Sequence, residues 1–569
     1  MTGPFMLPFP KGTRYNEAKE FLQDKRRKGQ IELNTEQKHG KDTEQLNQTI
    51  DQDDYHKDPN AGKKEPAAQG TRASAPLYTA LQEYIAKRDA SFHVPGHKNG
   101  TAYERGAAGA ELAGVLALDV TEINGTDDLH HPEGVIREAQ ELAAGVFGAE
   151  ETFFLVGGST AGNLAMILSV CTAPGDVLLV QRNVHKSVIH GLMLAGAHAV
   201  FLAPQQDTGS GLATIPSERT VREALRRYPG AKGLLVTHPN YYGMGASLRP
   251  LAELCHAAGV PLLVDEAHGA HFGLHPALPE SALQAGADGV VQSTHKMLTA
   301  LTMGAMLHVQ GGLLDRGLLR QRLAMVQSSS PSYPIMASLD LSRSKLQAEG
   351  SAFFERGLAA AEQLRRGLRE LPRFGLLKPG ASGDHAAYAI QDPWKAVLYD
   401  TTGEWSGYEL HAKLEEGGCV PEMSDERYVV LALGPGTTSE DVSRVLRRLG
   451  QLSAVGETSR FSTWNIQTDA KWPAWDEVSS PVPFGLRPVR PEEKETIGLG
   501  ECEGRQAAEM VIPYPPGIPL LYPGETVSRR MKEQLMALRR AKAKCQGPAD
   551  PTLKTIQVIK HRTESREGH

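Results

Sequence analysis

Short apolar runs alternate with helical patterns through the middle of the chain. The runs are TFFLV, VLLV, AVFLA, GLLVT, PLLVDEA, DGVVQST and MGAMLHV. They are continuously apolar rather than alternating, as strands covered on both faces should be. Strand and helix in turn predict an α/β fold, a mainly parallel sheet covered by helices. Ahead of the first run, Leu77, Leu81, Tyr84 and Ile85 fall on one helical face, with Ser74 as N-cap. Val135, Ala139, Leu142 and Val146 share a face of a second helix over Gly134–Phe147.

The pattern changes after Asp340. A long helical region from Ser342 to Leu371 leads into the strands AVLYD and YVVLAL. A helix with Val442, Val445, Leu446 and Leu449 on one face follows, and the whole reads as a smaller α+β unit. The stretch Glu457–Gly500 is rich in proline and tryptophan and shows no clear period. The chain closes with VIPYPPGIPLLYPGE and a basic helix, SRRMKEQLMALRRAKAKC. Residues 1–73 are charged, rich in Gln and Asn and poor in large apolar side chains, which predicts a disordered extension with a short helix near Tyr15–Lys28. The expected organisation is therefore 1–73 extension, 74–340 major domain, 341–455 small α+β domain and 456–569 C-terminal domain.

Composition narrows the function classes. Lys+Arg 61 against Asp+Glu 67 leaves a net charge of -6, with no electrostatic footprint for nucleic acid or an anionic membrane. No apolar run approaches the roughly 18 residues of a membrane span. The start, MTGPFMLPFPKGTRY, is broken by proline and makes a poor signal peptide. The five cysteines are scattered, without metal spacing or a disulfide framework. A cytoplasmic protein with no nucleic-acid or membrane partner is the expectation.

Four features at strand ends carry candidate chemistry. In LVGGSTAGN, a strand runs through two glycines into Ser159, Thr160 and a helix start, an arrangement suited to a phosphate and equally to a plain strand-to-helix turn. In RNVHKS, His185 stands at a helix start, as a functional ring or as a cap. In PLLVDEAHGAH, Asp265 ends an apolar strand, where a buried carboxylate needs a partner or serves as a local N-cap. In QSTHK, Lys296 follows the next strand, where an apolar setting favours the neutral amine that Schiff-base chemistry needs. Together these are the parts of a pyridoxal 5'-phosphate site: a phosphate cradle, a ring cover, a carboxylate for the pyridine nitrogen and a lysine for the aldehyde.

The chain resembles the Orn/Lys/Arg decarboxylase family, in particular its shorter Bacillus-type members. The resemblance rests on SFHVPGHKNG, DVTEINGTDDLHHPEG, FFLVGGSTAGN, RNVHKS, THPNYYGM, LLVDEAHGAHF, QSTHK, SSSPSYPIMASLD and VIPYPPGIPLLYPGE. It implies an aspartate aminotransferase-like fold, pyridoxal phosphate as cofactor, and decarboxylation of lysine, arginine or ornithine to an amine of polyamine metabolism and carbon dioxide. By the same resemblance, Lys296 is the Schiff-base lysine, Asp265 the partner of the pyridine nitrogen and His185 the residue stacked on the ring. Ser159, Thr160, Ser293 and His295 are implied near the cofactor phosphate, and His268 is placed near the cofactor by its closeness to Asp265 in sequence. A homodimer or higher homo-oligomer is also implied, with His93–Lys98 and Ser328–Ser330 as candidates for contributions across the interface. Glu122, Asp127, Asp128 and Glu422 are the acidic candidates for a basic substrate. Two readings compete: another enzyme of the same fold, such as an aminotransferase or lyase, and a catalytically silent pyridoxal phosphate-binding regulatory relative.

Overall fold

A computed structural model describes residues 73–103, 109–379, 387–455, 476–513, 519–540 and 544–560. The predicted extension, apart from residue 73, and the helix expected at Tyr15–Lys28 lie outside the described residues. All seven apolar runs are strands: β1 Glu151–Leu155, β2 Val177–Gln181, β3 His198–Leu202, β4 Leu234–Thr237, β5 Leu262–Asp265, β6 Gly289–Gln292 and β7 Ala305–Val309. They form one sheet in the order β1-β7-β6-β5-β4-β2-β3, and Val482–Pro483 adds an eighth strand beside β3. The five strands from β6 to β3 are parallel, β7 is antiparallel to both its neighbours, and the eighth strand is antiparallel to β3. Because β1 is reversed twice, its carboxyl end lies on the same side as those of the parallel strands.

The sheet explains the unbroken apolar runs. Side chains of a strand point alternately to its two faces. Leu179, Leu234, Val236, Leu262, Val264 and Val290 go to one core. Their neighbours Leu178, Val180, Leu235, Leu263 and Val291 go to the other. Helices α1 (Pro76–Lys87) and α2 (Val135–Phe147) close the first face, and α3 (Gly158–Val170) and α4 (Lys186–Ala195) close the second. Contact between α3 and the sheet requires a glycine: a Cβ on Gly162 would sit 2.5 Å from Val291 Cγ2 and 2.9 Å from Leu155 Cδ1. A four-residue helix, α5 (Thr294–Met297), follows β6.

Three sequence expectations change. Ser74 does not cap α1, whose N-cap position is Ala75 with no side-chain bond. The Asp340 carboxylate instead accepts from the backbone N–H groups of Leu77 (3.0 Å) and Tyr78 (3.3 Å). It is itself paired with buried Arg343, which donates to the Ser74 carbonyl at 2.7 Å. The cap is thus supplied by a distant helix, which no local pattern encodes. The buried face of α2 is Ile136, Ala139, Gln140, Ala143, Ala144 and Phe147, with Val135, Leu142 and Val146 half-buried. The helix is rotated because Gln140 turns inward to accept from the Phe154 N–H at 2.8 Å. The long helical region is two helices, α6 (Tyr333–Glu349) and α7 (Ala352–Arg369), parted at Gly350, whose φ of 54° lies in the left-handed region. Helix α6 runs without a break through residue 340.

Beyond α7, β8 (Phe374–Leu376), β9 (Lys395–Asp400), β10 (Met423–Ser424) and β11 (Val429–Ala432) form an antiparallel sheet in the order β8-β9-β11-β10. Helix α8 (Ser439–Val455) follows, with Val442 and Leu449 buried in the same apolar core as α6 and α7. The C-terminal residues pair Lys494–Gly498 with Thr555–Ile559, and α9 (Arg529–Arg540) buries Met531 and Leu535 beside them.

The YPGE stretch is anchored next to the strand ends. Arg182, one residue beyond β2, forks onto both Glu525 oxygens and donates to the Leu520 carbonyl at 2.9 Å. Its guanidinium lies 4.7 Å from the Phe201 ring centre and 5.2 Å from that of Tyr522, and those rings stack at 4.8 Å. The pair is buried, so loss of one partner leaves the other charge without its main counter-charge in a dry setting. Glu525→Ala is expected to lower stability by about 3–5 kcal/mol, whereas Arg182→Met combined with Glu525→Leu recovers most of the loss, as read from denaturation midpoints.

Candidate active site

Apolar strands buried on both faces leave polar groups only at their ends, and the carboxyl ends of β1, β2, β5 and β6 converge here. Asp265 is the last residue of β5 and is only 3% exposed. Its Oδ2 accepts from Asn163 Nδ2 at 2.8 Å and its Oδ1 from the Ala267 N–H at 3.1 Å. The second bond is the local turn that the capping alternative foresees; the first ties the carboxylate to α3. Asn163 Nδ2 also donates to Ser187 Oγ at 3.0 Å, and Ser187 Oγ lies 2.9 Å from His185 Nδ1. His185 does cap α4, accepting from the Ser187 N–H at 3.2 Å, and this bond fixes the ring. Burial lowers the His185 pKa, the Asp265 charge opposes the shift, and Lys296 adds to it.

Lys296 lies in α5, exposed to solvent yet hemmed in by protein. Its Nζ stands 3.1 Å from His268 Nε2. Withdrawal from water lowers its pKa, against the opposing charges of Asp265 and Glu422. Ser293 Oγ donates to Ser159 Oγ at 2.9 Å, which joins the start of α3 to the end of β6. His295 Nδ1 turns to the Gly304 carbonyl at 2.9 Å. Thr160, on the first turn of α3, is exposed.

Lys296, His268, Asp265 and His185 thus form one electrostatically linked group, with Ser159 and Ser293 paired at the start of α3. The stretches named for an interface make bonds within the chain: His93 to the Tyr84 hydroxyl at 2.6 Å, His97 to Asp119 at 3.0 Å, and the Ser328 carbonyl to His130 at 2.8 Å. Of the four acidic candidates, Glu422 alone acts on Lys296. Asp127 is occupied at the start of α2, where the N–H groups of Glu133, Gly134 and Ile136 donate to it. Burial raises its pKa, but the backbone donors together outweigh burial and hold it below the usual range.

Sequence reading missed three residues. Asn163, buried and four residues beyond Ser159, shares its helical face; that spacing was the available signal. Tyr241 packs edge-on to His268 at 4.8 Å, and Lys395 brings its Nζ to 3.5 Å from His268 Nδ1. Tyr241 lies in THPNYYGM, one of the stretches that carry the resemblance, and nothing local marks Lys395.

The residues fit pyridoxal phosphate. Asp265 is a buried carboxylate that accepts two hydrogen bonds, yet among the described residues no cation lies within ion-pair distance of it. A protonated pyridine nitrogen supplies the missing charge. The start of α3, with two hydroxyls, suits a phosphate, and Lys296 suits an aldehyde. The central sheet, mostly parallel and flanked by helices, defines the pyridoxal phosphate fold of the aspartate aminotransferase type.

Within that class the sequence is specific. Residues 75–441 match the profile "Orn/Lys/Arg decarboxylase, major domain" and residues 487–551 match "Orn/Lys/Arg decarboxylase, C-terminal domain". The chain belongs to the Orn/Lys/Arg decarboxylase family, whose members depend on pyridoxal phosphate. It is 41% identical over 479 residues to the uncharacterized protein YaaO of Bacillus subtilis, covering 83% of this chain and 96% of that one. It is 35% identical over 486 residues to the arginine decarboxylase of the same organism, covering 85% and 98%. The crystal structure of the Francisella novicida lysine decarboxylase LdcF shares the fold, with a TM-score of 0.70 at 22% identity over 86% of this chain and 81% of that one.

Next to Asp265 a second carboxyl, Glu266, is fully buried. Gln292 Nε2 (2.7 Å) and the Ala282 N–H (2.8 Å) donate to it. Burial outweighs both and pushes it up to about 8. The folded protein therefore holds a proton that the unfolded chain releases near 4.5. Stability is fullest below that value and falls as pH rises toward 8, where the folded protein also loses the proton. Glu266→Gln is expected to flatten this decline in denaturation midpoints measured across the window.

Proposed function

We propose that this chain is a pyridoxal phosphate-dependent decarboxylase of a basic amino acid, with arginine as the first substrate to test. The observation that carries the reading is Lys296 held against His268, with Asp265 fixed by Asn163 at the adjoining strand end. When bound, the cofactor supplies an electron sink for the pair left behind as carbon dioxide departs. The chain's own residues set the conditions. Asp265, fixed by the Asn163 and Ala267 N–H donors, would pair with the ring nitrogen. His185, locked by Ser187, limits movement of the ring. The α3 start with Ser159 and Ser293 holds the phosphate. Lys296 supplies the amine that takes up the aldehyde and is later regained.

Arginine leads because the Bacillus relatives named arginine decarboxylase are 35–36% identical to the chain; the relatives named lysine decarboxylase, at 25–27%, and the Escherichia coli biodegradative arginine decarboxylase, at 24%, are all more distant. Glu422 is the candidate partner of the substrate's cationic head, since it is exposed while its charge reaches both Lys296 and Lys395. A homodimer goes with this reading; Phe92 (94% exposed) and Met303 (50%) offer apolar surface for it. A cytoplasmic place and a role in supplying polyamine precursors follow from the same reading.

Purified protein with added cofactor is expected to release carbon dioxide from arginine, and Lys296→Ala to abolish the release. Failure with arginine, lysine and ornithine alike, with cofactor bound, would move the assignment to another reaction on this fold or to a silent binder. Asn163→Ala removes a donor to Asp265 and is expected to lower kcat about tenfold. Glu422→Gln is expected to raise KM about tenfold with little change in kcat, for loss of one charge-assisted hydrogen bond.

A further inference from the structure

His268 stands between two lysines. Its Nε2 is 3.1 Å from Lys296 Nζ and its Nδ1 is 3.5 Å from Lys395 Nζ. The ring is 7% exposed and Lys395 is 3% exposed. Lys395 opens β9, in the antiparallel sheet, and its stem is clamped from the other side. Gly243, with φ of 76°, passes so close that a Cβ there would lie 2.6 Å from Lys395 Cβ and 2.8 Å from its Cγ. The Lys395 N–H donates to the Asp392 carbonyl at 3.1 Å, and Gln391 Nε2 donates to the Lys395 carbonyl at 3.0 Å. Among the described residues, no carboxylate lies within ion-pair distance of Lys395, since Asp392 turns its Oδ1 to His271 Nε2 at 2.9 Å. A buried lysine held this firmly, with only an imidazole before it, is not explained by packing.

Hydrogen-bond counting restricts the trio. A neutral imidazole has one N–H and one lone pair. It can take a hydrogen bond from one ammonium, but its other nitrogen then carries hydrogen and can only donate, so the second lysine must be a neutral amine. Burial first, then Lys296, Lys395, His185 and His295 in turn, hold the His268 pKa well below its ordinary value, so the ring is neutral. Two ammonium groups facing one neutral ring would leave one of them without an acceptor.

We propose that Lys395 is a positioning residue that shares one proton with Lys296 through His268. In one arrangement Lys395 is the ammonium and donates to Nδ1, while Nε2–H donates to the free amine of Lys296. In the other, a Lys395 N–H bond has broken, an Nδ1–H bond has formed, the Nε2–H bond has broken and a Lys296 N–H bond has formed. The ring has exchanged tautomers and the net charge is unchanged. Lys395 thereby holds the proton that Lys296 must lack to attack an aldehyde, and returns it when the lysine amine is regained. The charged groups acting on Lys296 are Asp265 and Glu422, and those acting on Lys395 are Asp392, Glu422 and Lys296. Glu422 acts on both lysines, so the bias between them comes from Asp265 on the Lys296 side and Asp392 on the Lys395 side.

The inference rests on Lys296 as the reactive lysine, but its test does not need the decarboxylase reaction. In the full chain freed of cofactor, competitive acetylation across pH, read at the Lys296 peptide by mass spectrometry, gives the apparent pKa of that amine. Lys395→Met removes the neighbouring charge, so the Lys296 pKa should rise and its labelling at neutral pH fall about tenfold for each unit of rise. Lys395→Arg keeps a cation that cannot give up its proton, so Lys296 should label at least as fast as in the parent chain. In a His268→Phe background, the Met and Arg variants should differ far less from each other. Lys296 profiles that superimpose in parent, Met and Arg chains would overturn the proposal. Should Lys395→Met not fold, the comparison of Lys395→Arg with Lys395→Gln decides in the same way. If the profiles separate but Lys296 takes up no pyridoxal phosphate, the shared proton stands and the decarboxylase reading falls.

Discussion

The Asp265 carboxylate is the interaction on which the site depends. It ends a strand whose residues are buried on both faces, so its charge must be met by neighbours at the strand ends. Two N–H donors meet it from Asn163 and Ala267, and neither neutralises it. The same carboxylate opposes the fall in pKa of both His185 and Lys296. Burial wins at both groups, and the one buried negative charge tempers the fall.

The rest of the molecule serves to hold that arrangement. Gly162 lets α3 lie against β1 and β6, which brings Asn163 within reach of β5. Arg182, one residue past β2, ties the C-terminal YPGE stretch to the loop that carries His185. The antiparallel sheet delivers Lys395 to His268, and Asp392, three residues before it, bonds His271, which stacks on Trp394 at 4.8 Å. Distant parts of the chain thus converge on the ends of the same strands.

The decarboxylase family and the cofactor were legible because their motifs are local. LVGGSTAGN, DEAHGAH and STHK each place a reactive group within a few residues of an apolar run, and each run is a strand. Asn163 was within reach of the same reasoning, since it follows Ser159 by one helical turn. Lys395 was not. Its role comes from a neighbour 127 residues away, and a lysine opening a strand reads as solvent-facing until the packing is seen.

The amino-acid sequence by itself determined the alternation of strand and helix, the apolar character of the sheet and the chemistry at its strand ends, because periodicity and burial are properties of neighbouring residues. Tertiary structure decided which polar groups meet. Asp340 rather than Ser74 caps α1, Gln140 turns the face of α2 and Asp127 accepts from the backbone at the start of α2. His268 lies between two lysines for the same reason. Hydrogen bonds and charges act over a few ångströms in space, and separation along the chain does not reveal that distance.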